Sequence, residues 1–238
     1  MRVGLYGGSF NPVHYGHLRA VEEVREAAAL DQVWLVPASA PPHKDPEEIA
    51  PAAARLRMLE LALDDRLALG PPGALRVESI ELQRPGPSFT FDTVRALKAL
   101  HPETEFALIL GLDSFREIHT WHEHAALLTE CDLIVTSRPP DRVPESSSQA
   151  LGACRLPIAV TIDFCYQEHA KCFIHRSGRR LDFVNVTQID ISASRIRALV
   201  RDGRSIRFLT PDAVVSSIQE QRLYRAAPVP GSDKPHRL

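Results

Sequence analysis

The amino-acid sequence predicts an α/β protein built on a doubly wound parallel sheet with helices on both faces. Three observations predict it. Short apolar runs alternate with segments of helical period through the first 136 residues, the pattern that builds parallel sheets with crossover helices. Within the helical segments apolar residues recur at three- and four-residue steps, which marks one buried face. At 238 residues, 44% hydrophobic and 24% charged, the chain has the size and composition of a soluble globular protein with a full core.

The elements follow in order. A first strand is expected over 3–6, where Val3-Gly4-Leu5-Tyr6 runs into two glycines. A helix then starts near 13–15 and buries Leu18, Val21, Val24 and Ala28. Strands are expected at 32–37, 75–80, 105–110 and 132–136, with helices at 52–63 and 90–100. Residues 138–148 are polar and rich in proline and serine, which reads as a surface loop. Residues 151–185 hold three of the four cysteines and show no clear period. Order is expected again with a strand at 181–186, a helix capped by Ser192, and a last helix at about 211–224 whose proline suits its first turn. The sequence therefore reads as one domain over 1–225, with 140–185 as an irregular variable region inside it and 226–238 as a disordered tail.

Composition excludes several functions. The net charge is about −2 and only four of the 28 basic residues are lysine (Lys44, Lys98, Lys171 and Lys234), so neither a nucleic-acid nor a membrane partner is expected. No apolar stretch reaches membrane-spanning length. The start, MRVGLYGG, enters a strand at once without signal-peptide architecture. Cys131, Cys154, Cys165 and Cys172 lack disulfide-framework spacing, and a reducing cytoplasm is the expected compartment. Cys165, His169, Cys172 and His175 are four metal-ligand types in one segment, but they lack the tight Cys-x₂₋₄-Cys pair with which structural zinc sites usually begin. Buried thiols and loop histidines are the expected reading there.

The stretch GGSFNPVHYGH, residues 7–17, lies at the end of the first strand, where such sheets bind ligands. Gly7 and Gly8 allow a sharp turn and close approach to a ligand. Ser9 and Asn11 add short polar groups beside Phe10, and Pro12 stiffens the turn. The following helix start is an anion site. His14 and His17, three residues apart, share a face there and could donate to phosphate oxygens; exposed turn histidines are the lesser alternative. Neither the GxGxxG fingerprint nor a Walker sequence is present. DISASRIRALV, residues 190–200, offers a second cradle, with Ser192 at the helix start and Ser194 and Arg197 on one face.

Together, His14-Tyr15-Gly16-His17 and Ile191-Ser192-Ala193-Ser194-Arg195-Ile196-Arg197 resemble the paired signatures of the HxGH nucleotidyltransferase superfamily, with serine in a threonine position. PPHK at 41–44, PSFT at 87–90, GLDSF at 111–115 and TWHE at 120–123 make the chain over 1–225 similar to the bacterial nicotinate-mononucleotide adenylyltransferases. The resemblance implies a Rossmann-like nucleotidyltransferase fold and a reaction joining ATP to nicotinate mononucleotide, with Mg²⁺ bound mainly through the ATP phosphates and no protein metal site. It also implies residue roles. Gly7, Gly8, Ser9, Phe10, His14, His17, Gly111, Asp113, Ile191, Ser192, Ser194 and Arg197 would bind ATP, with His14, His17 and Arg197 catalytic. His43, Lys44, Thr90, Trp121, His122 and Arg138 would bind the mononucleotide, Trp121 by stacking on the pyridine ring. Trp121 could also be ordinary core, and Thr90 could cap the helix over 90–100. Phe89 stands where the family usually has tyrosine. The rival expectations are another HxGH nucleotidyltransferase, taking nicotinamide mononucleotide or phosphopantetheine, and a nucleotide-binding module without catalysis. Homo-oligomerisation is left open.

Overall fold

A computed structural model describes residues 1–39, 49–64, 73–137 and 156–225. His43, Lys44, Arg138, Cys154, the 138–148 loop and the tail fall outside them. The chain runs β1 (Arg2–Gly8), α1 (Tyr15–Ala27), β2 (Gln32–Pro37), α2 (Ala52–Leu63), β3 (Leu75–Val77), α3 (Thr90–Leu100), β4 (Glu105–Gly111), α4 (Leu112–Arg116), α5 (His124–Glu130), β5 (Asp132–Ser137), α6 (Ile158–Thr161), β6 (Phe164–Gln167), β7 (Cys172–His175), β8 (Arg180–Asn185), α7 (Ala193–Arg201) and α8 (Asp212–Glu220). Among the described residues the strands form one sheet in the order β3-β2-β1-β4-β5-β8-β7-β6. The first six are mutually parallel, and β7 and β6 extend the edge in antiparallel fashion.

Alternation within each strand feeds two layers. In β4, Phe106, Leu108 and Leu110 join Val94 and Leu97 of α3 and Leu127 and Leu128 of α5 on one face. On the other face Ala107 and Ile109 meet Val21 and Val24 of α1. Both sets are buried, which is why the central strands read as nearly continuous apolar runs. Gly4 has no room for a side chain: a Cβ there would lie 2.6 Å from Ile109 Cδ1 and 2.8 Å from Leu30 Cδ1.

Several elements differ from the sequence expectation, among them α4 and α5, which it did not include. The third strand stops at Val77 instead of residue 80. The Glu78 carboxylate accepts the Ile80 N–H at 3.1 Å and turns the chain into a 3₁₀ segment, Ile80–Gln83. The last helix spans Asp212–Glu220, with Pro211 at the N-cap position. It closes when Arg222 N–H bonds the Gln219 carbonyl at 3.2 Å and Leu223 N–H bonds that of Ile218 at 3.0 Å. This is a Schellman closure with an arginine at φ 52° where glycine is usual.

Residues 156–185, read as lacking a period, hold α6 and the β6–β7–β8 extension. Phe164 and Tyr166 pair with His175 and Phe173 on one face of the hairpin, with ring centroids 5.1 Å apart in both pairs. Phe183 links this row to Phe115 of α4. The four metal-ligand types of this segment do not converge: Cys165 is exposed, Cys172 is buried, and no group of three or more His, Cys, Asp or Glu among the described residues is placed to hold a metal. Nor is any described helix long and apolar enough to cross a membrane.

His175 is 2% exposed. Its Nδ1 accepts the Ser177 N–H at 3.1 Å, and burial holds its pKa below the ordinary histidine value despite Asp163 nearby. As pH falls through about 6.5 the unfolded chain takes up a proton that the folded chain refuses, so the fold loses stability below that value. Urea unfolding at pH 7.5 and 5.5 should show a larger loss for the wild type than for His175→Gln.

Candidate active site at the switch point of the sheet

β1 is flanked by β2 on one side and β4 on the other, so the order of strands reverses at β1 and β4, and a crevice opens beyond their carboxyl ends. A cavity of about 330 Å³ lies there, lined by Gly7, Gly8, Leu110, Gly111, Thr90 and Trp121. Cβ atoms built on Gly7 and Gly111 would meet nothing within 4 Å, so the strand ends present bare backbone to the opening. A second space of about 550 Å³ continues outward past Ser88, Thr90, Asp113, Ser114, Trp121 and His122.

The first motif forms the inner wall. Phe10 is buried in left-handed backbone at φ 45°, its ring against the Gly8 backbone, where a Cβ would meet it at 3.2 Å. α1 begins at Tyr15 with His14 as its N-cap residue. The His14 and His17 rings stack with centroids 3.6 Å apart. His14 is 5% exposed, whereas His17 is only partly covered. His17 Nδ1 accepts the His14 N–H at 3.3 Å, which puts the proton of a neutral His17 on Nε2. Gly16 has a steric reason: a Cβ would press on His14 at 3.0 Å.

The second motif arrives from the far end of the chain. Ser192 caps α7 through Oγ, which accepts the Arg195 N–H at 3.2 Å. Arg197 donates to Ser194 Oγ at 3.4 Å and to the Asn11 carbonyl at 3.1 Å, across 186 residues. The guanidinium thus sits on the loop that leads to His14. Ile191, one residue ahead of the cap, packs on the core formed by Phe10, Val13 and Ile196.

The outer wall carries the residues expected to meet the pyridine. Trp121 packs partly on the main core and also lines both spaces, so its two readings hold together. His122 lies on the Phe89 ring, centroids 4.3 Å apart. Thr90 lines the cavity as the first residue of α3, but Phe89 holds the N-cap position, so the expected capping role of Thr90 is not seen. Asp113 projects from the rim, its side chain 98% exposed and 3.3 Å from Arg116.

Sequence reasoning missed two buried charged groups. Arg55 of α2 is 1% exposed and donates to the carbonyls of Ala50 (3.0 Å), Ser9 (2.9 Å) and Ser39 (3.1 Å). Burial pulls its pKa below the ordinary arginine value. The signal was available: 55, 58, 59 and 62 form the apolar stripe of α2, and an arginine interrupts it. Glu81, 8% exposed, lines the inner cavity and accepts the Thr93 hydroxyl at 2.8 Å. Nothing in its sequence context marks it.

A profile of the cytidylyltransferase-like family matches residues 5–199. The chain belongs to that family. A probable nicotinate-nucleotide adenylyltransferase of Geobacter sulfurreducens is 43% identical over 224 residues, covering 94% of this chain and 98% of the relative. Its counterpart in Geotalea uraniireducens is 41% identical over 227 residues, covering 95% and 100%. Among solved structures, the nicotinic acid mononucleotide adenylyltransferase of Plasmodium falciparum complexed with NaAD shares the fold at TM-score 0.69 and 18% identity, covering 94% of this chain and 97% of that one. Gly16→Ala should lower kcat/KM by about tenfold through displacement of the stacked ring, while the melting temperature stays near the wild-type value because alanine favours the helix. Steady-state kinetics beside a thermal melt checks both halves.

Proposed function

We propose that the protein transfers the adenylyl group of ATP to nicotinate mononucleotide, giving deamido-NAD and pyrophosphate in NAD biosynthesis. The observation that carries this reading is the junction of Arg197 with the Asn11 carbonyl. It brings the guanidinium of α7 onto the loop whose other end bears His14 and His17, at the carboxyl ends of the parallel strands. The relatives at 43% and 41% identity bear the name of this activity.

The chemistry suits the residues. The acceptor is a phosphate monoester whose second pKa is about 6, so it is mostly dianionic at neutral pH and needs no general base. In-line attack on the α-phosphorus then depends on positioning and charge stabilisation. His17 Nε2–H and Arg197 supply donors for phosphate oxygens, and the backbone at Gly7 and Gly8, which carries no side chains, permits close approach. Ser194 steadies Arg197. The wider outer space, with Trp121 on one side and Thr90 at the start of α3, suits a pyridine ring bearing a carboxylate, which wants only donors. Asp113 at the rim is available to ribose hydroxyls.

Magnesium would enter with the triphosphate. Magnesium keeps several waters and takes substrate phosphates as ligands. An exposed Asp113 carboxylate beside the space fits such an ion, and a magnesium so held neutralises phosphate charge. Both substrates are small water-soluble nucleotides, and the cytoplasm is the compartment this reading implies.

Pyrophosphate release with ATP and Mg²⁺ tests the reading. Nicotinate mononucleotide should be turned over faster than its amide, and phosphopantetheine should be inert; release driven by phosphopantetheine alone would reject the proposal. In the same assay His17→Ala should lower kcat about 10²-fold, as expected for loss of one preorganised donor to developing charge, with the far-ultraviolet circular dichroism spectrum unchanged.

A further inference from the structure

The last tyrosine in the sequence reaches back to the first motif. Tyr224 OH donates to Asn11 Oδ1 at 2.8 Å across 213 residues, and the same oxygen accepts the Ala50 N–H at 3.0 Å. The backbone carbonyl of that asparagine holds Arg197. One residue of the phosphate loop is therefore gripped through its side chain by the end of the chain and grips the functional arginine through its main chain.

Two further observations show that this contact is built in. Arg222 and Tyr224 both adopt left-handed backbone, at φ 52° and 61°, a conformation that costs non-glycine residues energy and persists only where surrounding contacts enforce it. The Schellman closure of α8 accounts for Arg222, and Tyr224 packs against the cluster that holds Ile196 and Val214. The phenol also lies within electrostatic reach of Arg197 and Arg55, although burial still pushes its pKa above the ordinary tyrosine value. The neutral phenol keeps its proton, and it donates that proton to Asn11 Oδ1.

We propose that Tyr224 is a positioning residue: through Asn11 it sets the orientation of Arg197 toward the transferred phosphates. It touches no substrate itself. The inference rests on the adenylyltransferase reading and adds to it a dependence of turnover on the segment that follows α8.

The test is a kinetic cycle of Tyr224→Phe, Arg197→Ala and the double variant, assayed by pyrophosphate release. Tyr224→Phe keeps the packed ring and removes one hydrogen bond, so kcat should fall about three- to tenfold, with the KM for nicotinate mononucleotide unchanged. In the Arg197→Ala background the same substitution should have no further effect, because coupled residues are non-additive. Wild-type kcat in Tyr224→Phe, or an equal loss in both backgrounds, would overturn the positioning role while leaving the reaction assignment standing. Absence of wild-type turnover would overturn both.

Discussion

The site depends on a buried guanidinium. Arg55 sits in the apolar stripe of α2 and spends its fork of donors on three carbonyls, those of Ser9, Ser39 and Ala50. These lie just beyond β1, just beyond β2 and just before α2. Irregular backbone packed against a core leaves carbonyls that water no longer reaches, and each unsatisfied one is costly. A lysine could present only a single point of charge; the planar fork of arginine can reach three partners at once. The turn between Gly8 and His14 is thus held from behind, and the stacked histidines and Arg197 are mounted on it.

Rigidity is distributed unevenly around the cleft. Its floor is strand-end backbone fixed by parallel pairing of β1 with β2 and β4, and its inner wall is tied by Asn11 to three distant parts of the chain. The outer wall is made of a short helix, a 3₁₀ turn and exposed rim residues. The proposed adenylyl transfer asks for such a division: phosphates must be aligned closely, whereas a ring-binding side must admit and release its ligand.

Much of this was legible from letters alone. The apolar runs and helical stripes pointed to the parallel sheet because each central strand is buried on both faces, and the HxGH and ISxSxxR stretches pointed to a candidate site because both fall at regular helix starts. The hairpin of β6 and β7 was opaque. Each strand has only four residues, its aromatic alternation is too brief to register as a period, and its partners are set by the sheet edge rather than by local spacing. Arg55, Glu81 and the reach of Tyr224 to Asn11 were opaque for another reason. Their meaning lies in what surrounds them after folding, and a long-range hydrogen bond leaves no pattern along the chain. The end of β3 at Val77 likewise followed from one carboxylate capturing a nearby amide.

The antiparallel hairpin has a consequence for how this architecture tolerates change. It is sewn onto the margin of the sheet, with β8 and β5 standing between it and β4. Chain added or trimmed in that fringe alters the perimeter of the molecule without shifting the registry of the strands that floor the cleft. The periphery can therefore drift in length and composition while the reacting centre keeps its dimensions.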